Sequence, residues 1–142
     1  MNIVDFNPDR HYAAMCDFWQ AYGWLTCPLD ALPRAGRVAE NDQGELIAYL
    51  GMYIDEGRIA VVDWALANRA VPEPERHAAL RMLFDELVCQ AKAQDCHYIY
   101  SFTANKKWGY RLESYGMAAA ERNATSYIMP IGENKDVAFI SD

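Results

Sequence analysis

The chain has 142 residues, 52% of them apolar, and its 13 Lys plus Arg against 20 Asp plus Glu give a formal net charge of −7. A single core of this size buries roughly 70% of the unfolded chain's surface, so folding needs neither disulfides nor a structural metal. The acidic balance argues against a nucleic-acid backbone as partner, which calls for clustered Lys and Arg, and no apolar run approaches the ~18 residues of a membrane-spanning helix.

Asn2 to Phe6 alternates in the manner of a short strand. Asn7-Pro8-Asp9 starts a helix, with Asn7 as N-cap and Pro8 at the first helical position. Tyr12, Met15, Cys16, Trp19 and Tyr22 then form one apolar stripe that ends before Gly23. Pro28, Pro33 and Gly36 break any period from Trp24 to Arg37, which predicts a covering loop with a helical turn over Leu29 to Leu32. Arg37 to Glu40, Glu45 to Ile54 and Arg58 to Ala67 read as a three-strand antiparallel meander. Its turns are Asn41 to Gly44, where Gly44 supplies a positive φ, and Asp55-Glu56-Gly57.

Beyond Pro72, the residues Leu80, Leu83, Phe84, Leu87, Val88 and Ala91 recur at helical spacing. A strand over His97 to Ala104 follows, then Asn105 as cap of a helix to Tyr115, with Gly116 at its C′ position. Met117 to Arg122 and Thr125 to Ile131 are expected to close as a hairpin over Asn123-Ala124. The prediction is a single α/β domain over 1–131 with a polar tail over 132–142, in the order β-α-(loop)-β-β-β-α-β-α-β-β. Its central sheet is mixed, and the helical crossover makes a parallel strand pair at the middle. Cys16, Cys27, Cys89 and Cys96 hold no CxxC pair, and His11, His77 and His97 no HxxxH, so no metal site is expected. The opening Met1 to Asp5 lacks the basic and apolar regions of a signal peptide, which points to a cytoplasmic protein.

This order of elements resembles the GNAT acyltransferase fold of the acetyl-CoA-dependent N-acetyltransferases over nearly the whole chain. The most specific local match is the segment Asn105 to Met117, similar to the family's Asn…Gly-Phe segment with Asn105 and Gly116 eleven apart. Val61 to Asn68, following Leu46 to Tyr53, resembles small GNAT-like proteins of tailed bacteriophages and prophages. The resemblance implies acetyl-CoA or coenzyme A as co-substrate, and an amine of a small molecule or protein as acceptor, with a homodimer open as the assembly. Leu66, Asn68, Arg76, His77, Ala78 and Asn105 fall where the family holds the cofactor. Two departures stand out. The family's Gln/Arg-x-x-Gly-x-Gly/Ala loop, whose glycines let backbone N–H groups close on the diphosphate, is replaced by Arg76-His77-Ala78-Ala79-Leu80-Arg81. The Tyr that often protonates the departing thiolate would fall at Leu112, and Tyr115 is the neighbouring Tyr nearest in direction.

Amine acyl transfer needs a base for the ammonium proton. Strand alternation puts Ile59, Val61, Asp63 and Ala65 on one face. Asp63 therefore sits in an apolar row where burial raises a carboxyl's pKa, and it reads either as that base or as the partner of an Arg or a loop cap. Ser101 and Thr103 share a strand face with His97 and Ile99, to bond a substrate or a neighbouring backbone group. Trp24 and Tyr53 are candidates to line the acceptor pocket, where aromatic and acidic groups suit a cationic amine, or else to fill core. The damaged glycine pattern and the missing Tyr favour a second reading, a non-catalytic GNAT-like factor that binds another protein as a virion component or host-factor inhibitor.

Overall fold

The computed structural model describes residues 1–125 together with Tyr127 and Met129. The chain divides into two compact units, Met1–Phe102 and the segment from Thr103 onward. The first unit contains β1 (Asn2–Asp5), α1 (Pro8–Tyr22), β2 (Arg37–Glu40), β3 (Leu46–Ile54), β4 (Ile59–Ala67), α2 (Glu73–Ala93) and β5 (Tyr98–Tyr100). The second contains α3 (Lys106–Ser114).

The sheet runs β1-β2-β3-β4-β5, antiparallel throughout except for the parallel β4–β5 pair. This is the mixed α/β arrangement expected, with α2 as the crossover between the parallel strands. The local signals for α1 hold. Asn7 Oδ1 accepts the Asp9 N–H at 3.0 Å, Pro8 stands at the first position, and Gly23 closes the helix at φ +69°. Gly44 turns at φ +79°, and Leu29–Ala31 makes a single 3-10 turn inside the long loop.

Cross-strand partners share a sheet face, which sorts the core into two layers. Val4 pairs with Val38, Val38 with Tyr49, and Tyr49 with Leu66. This face packs against Met15 and Trp19 of α1 and against Cys27 and Leu32 of the loop. The opposite face buries Ala39, Ala48, Leu50, Met52, Ala60 and Val62. There α2 lies on β2, β3 and β4 with Ala79, Leu80, Leu83, Phe84, Leu87 and Ala91 buried. Arg37, on the α2 face opposite Leu50, donates to the Gln90 amide oxygen at 2.8 Å and pairs with Asp5 at 2.8 Å.

One polar cluster is buried beside α1. His11 and Glu40 are 2% and 5% exposed, and His11 Nε2 lies 2.6 Å from Glu40 Oε1. His11 Nδ1 accepts the Asn7 N–H at 2.9 Å, which leaves Nε2 as the protonated nitrogen that donates to Glu40. Arg10 reaches the same carboxylate oxygen at 2.7 Å. The buried carboxylate thus has the partners that burial of a charge demands, and they fasten the start of α1 to the end of β2.

Three expectations need correction. β5 stops at Tyr100, because Thr103 Oγ1 accepts the Asn105 N–H at 2.9 Å and turns the chain toward α3. Ser101 and Thr103 are therefore not strand residues. The hairpin strand over Met117 to Arg122 is not formed, and the chain bends there, with Asn123 at φ +58°. The second hairpin strand falls partly outside the described residues, and Thr125, Tyr127 and Met129 are not in a strand. Finally, a bulge breaks the alternation of β4. Gly51 pairs with Asp63 and Tyr49 with Leu66, so two β4 residues, Trp64 and Ala65, oppose Leu50 alone. Leu66, not Ala65, shares the face of Asp63.

Candidate active site

The bulge positions the site. Trp64 adopts φ +59°, a left-handed conformation that is costly for a bulky residue. Three contacts hold it there. Its N–H donates to Asp63 Oδ1 at 2.7 Å, its Nε1–H donates to Tyr53 Oη at 2.8 Å, and its ring meets Trp19 edge-on at 6.0 Å. Tyr53 passes the chain on, donating to the Ala31 carbonyl at 2.8 Å. Tyr12 donates to the Cys27 carbonyl at 2.8 Å. The loop over the sheet is thus pinned from β3 at Ala31 and from α1 at Cys27.

Under the loop lies a space made by glycine. A Cβ on Gly51 would stand 2.7 Å from Pro33 Cγ and 2.8 Å from Tyr49 Oη, and one on Gly36 would stand 2.8 Å from the same hydroxyl. Tyr49 leans along β3 into this space, fully buried, and its hydroxyl has no hydrogen-bond partner among the described residues. Asp63 stands directly across from Gly51. A buried hydroxyl without a partner costs about 1–3 kcal/mol. Tyr49→Phe is therefore expected to raise stability by roughly 1 kcal/mol in a thermal or urea melt; a loss would mean that the hydroxyl is satisfied in solution.

Electrostatics follow from this crowding. Burial pushes the Cys27 thiol up to about 12, with Asp63 and Asp30 adding to it, so Cys27 is an inert packing residue whose Sγ–H points at the Pro28 carbonyl. The hydroxyls of Tyr49 and Tyr53 are raised as well, by burial first. Asp63 was expected to be buried in an apolar row, and this is corrected: its side chain is open to solvent. Its carboxyl is nonetheless raised, by desolvation where protein crowds it and against the opposing pull of the Trp64 N–H. No Arg or Lys ion pair to it is found among the described residues. That leaves a solvent-reachable carboxylate of raised basicity beside two aromatic side chains.

The other candidates are more dispersed. Trp24 stacks on Tyr22 at 4.2 Å, and Tyr22 donates to the Ala67 carbonyl at 2.9 Å, so Trp24 sits by the far end of β4 rather than beside Tyr53. Ser101 is half-buried just past β5. Leu66 is buried against the α1 layer. Asn68 donates its N–H to Ile47 and accepts the Ala70 N–H on Oδ1, shaping the turn into α2. In the first turns of α2, His77 Nε2 lies 3.2 Å from Glu73, and Ala78 is exposed. Arg76 Nε is buried there without a partner among the described residues. In the second unit Asn105 caps α3, its Oδ1 accepting the Trp108 N–H at 3.1 Å, and Tyr115 ends that helix with its ring edge-on to Trp108. No group of three His, Cys, Asp or Glu placed to hold a metal occurs among the described residues.

β4 and β5 pair only from Ile59↔Tyr98 to Val61↔Tyr100, and among the described residues β4 runs on from Val62 to Ala67 without a β5 partner. This fold is shared with solved structures. The acetyltransferase of GNAT family from Staphylococcus aureus Mu50 superposes with a TM-score of 0.67 at 14% identity, over 94% of this chain and 94% of its own. An acetyltransferase of Trypanosoma brucei gives 0.63 at 11% identity, over 89% and 99%. Rv2747 of Mycobacterium tuberculosis, solved in complex with CoA and NLQ, gives 0.61 at 14% identity, over 80% and 70%. The chain has a GNAT-like fold. No family model matches the sequence, and no curated protein does.

Two features that alternation alone passes over organise this site: the bulge at Trp64 and the buried Tyr49 hydroxyl. The sequence does carry a signal for them, since glycine inside a strand marks a bulge or a close approach, and Gly51 stands in the middle of β3.

Proposed function

We propose that the protein is an acyl-CoA-dependent N-acyltransferase that transfers an acetyl group to an amine of a small molecule or protein. The observation that carries this reading is the solvent-reachable, raised carboxylate of Asp63 at the bulge of the strand that runs past its parallel neighbour. Acetyl-CoA would supply the acyl group as a thioester. The residues suit it in three respects. On its β5 side Val62 to Ala67 has no strand partner among the described residues, which leaves that edge of β4 for an amide-bearing arm, with Leu66 and Asn68 at its end. The buried Nε–H of Arg76, with His77 and Ala78 following it, is a donor without a hydrogen-bond partner among the described residues. Asn105 Nδ2 remains as a donor while Oδ1 caps α3.

Asp63 Oδ2 takes the proton from the acceptor ammonium, while Oδ1 is held by the Trp64 N–H so that the carboxylate keeps one orientation. Tyr53 and Trp64 wall the base on one side, Trp24 and Ser101 are assigned to contact the acceptor, and Tyr115 is assigned to return a proton at the departing sulfur. Calorimetric titration tests the reading: acetyl-CoA or coenzyme A is expected to bind with micromolar to millimolar affinity, and an absence of heat for both overturns it.

One observation favours a second reading, a non-catalytic protein-binding factor of the kind phages carry. The first turn of α2 bears Glu73 and Glu75 and has Pro72 as its N-cap. Acidic side chains there oppose an anion at the helix start, and Pro74 removes one N–H. The same titration decides between the two.

A further inference from the structure

The face that carries Asp63 continues outward as an aromatic floor. Tyr53 pairs with Val61, Val61 with Tyr100, and Ile59 with Tyr98, so these five residues form two adjoining cross-strand rows on one face of β3, β4 and β5. Phe102 extends the β5 ladder, its ring parallel to that of Tyr100 within 5° at 6.1 Å. The ladder is open: Tyr98 is 64% exposed, Tyr100 40% and Phe102 72%. A run of exposed aromatic side chains on one sheet face costs solubility and marks a binding surface. Among the described residues Asp63, across from Gly51, is the single ionisable group in the adjoining row of this face.

We infer that the acceptor is a monoamine with an aromatic or apolar body, which lies on Tyr53, Val61, Tyr100 and Phe102 with its ammonium at Asp63. A polyamine or aminoglycoside carries several separated cations and wants several carboxylates, whereas the described residues of this floor offer one carboxylate and a broad apolar plane, Asp30 being in the loop and not on the sheet face. An aromatic body gains from stacking on Tyr100 and Phe102, and the ammonium gains from the rings of Tyr53 and Trp64 beside the carboxylate. The inference rests on the acyltransferase reading.

Its test uses the full chain with acetyl-CoA, 2-phenylethylamine and spermidine, with acetylated product measured by mass and amine binding to the coenzyme A-loaded protein measured by calorimetry. Phenylethylamine is expected to exceed spermidine in kcat/KM by about tenfold or more. Tyr100→Ala and Phe102→Ala, both at exposed positions that spare the fold, are each expected to raise KM for phenylethylamine by about tenfold and leave KM for acetyl-CoA unchanged. Spermidine used as well as or better than phenylethylamine overturns the inference alone. So does an unchanged KM in both variants, or coenzyme A binding without phenylethylamine binding. No binding of coenzyme A or acetyl-CoA overturns the acyltransferase reading, and this inference with it.

Discussion

Asp63→Asn is expected to lower turnover at neutral pH by about 10²–10⁴-fold, the usual contribution of a positioned general base, while the affinity for acetyl-CoA changes little. The substitution keeps an oxygen at Oδ1 for the Trp64 N–H, so the bulge keeps its internal bond. Because the Asp63 carboxyl is raised above its ordinary value of 3.8, the wild-type rate should climb with pH through that raised value and then level off. The variant should lose this limb. The sign for stability is opposite to that of a paired carboxylate. A folded state that raises the pKa binds the proton more tightly than the unfolded chain does. Its penalty is absent below the unfolded value and grows as pH rises through the folded one. Asp63→Asn should therefore melt no lower than wild type at pH 7, which separates loss of the base from loss of the fold. An unchanged rate would remove Asp63 from the mechanism.

Trp19→Ala is expected to be the most destabilising single change in the α1 layer, at about 3–5 kcal/mol. Trp19 is 2% exposed and meets both Tyr12 at 6.4 Å and Trp64 at 6.0 Å. For a chain of this length that corresponds to a drop in Tm of roughly 10 °C or more. The loss also withdraws one of the three contacts that hold Trp64 in its left-handed conformation. Activity should therefore fall further than the folded fraction accounts for, as read by kcat at a temperature where circular dichroism still shows a folded protein. A rate that tracks the folded fraction alone would show that Trp64 needs no help from α1.

The helices and the meander were legible because their signals are local. Asn7, Pro8 and Gly23 bound α1 by chain geometry that any neighbouring sequence would leave intact, and Gly44 and Gly116 do the same at their turns. The presence of an acid, Asp63, inside an otherwise apolar strand was legible too, from its place among Val61, Val62 and Trp64. Its environment was not, because the period of two carries no marker for a bulge: neither Trp64 nor Ala65 is a residue that turns normally select, and the telling glycine lies on the partner strand at Gly51. The length of β5 was misread for a related reason. Tyr98, Ile99, Tyr100 and Phe102 all favour extended chain, but the Thr103–Asn105 turn, satisfied by a side chain, ends the strand first. The expectation that Asp63 is buried failed because alternation reports which face a residue takes and not how far the covering layer reaches along it.

The left-handed backbone at Trp64 has a consequence for how this chain drifts under mutation. Glycine adopts φ +59° without steric penalty, so Trp64→Gly would ease the backbone while discarding the indole that steadies Tyr53 and, through it, the loop at Ala31. A library selected for foldedness alone would admit glycine at position 64, and one selected for turnover would keep tryptophan. The disagreement between those two populations at one codon would be a direct record of how much conformational discomfort the role proposed for the neighbouring carboxylate requires.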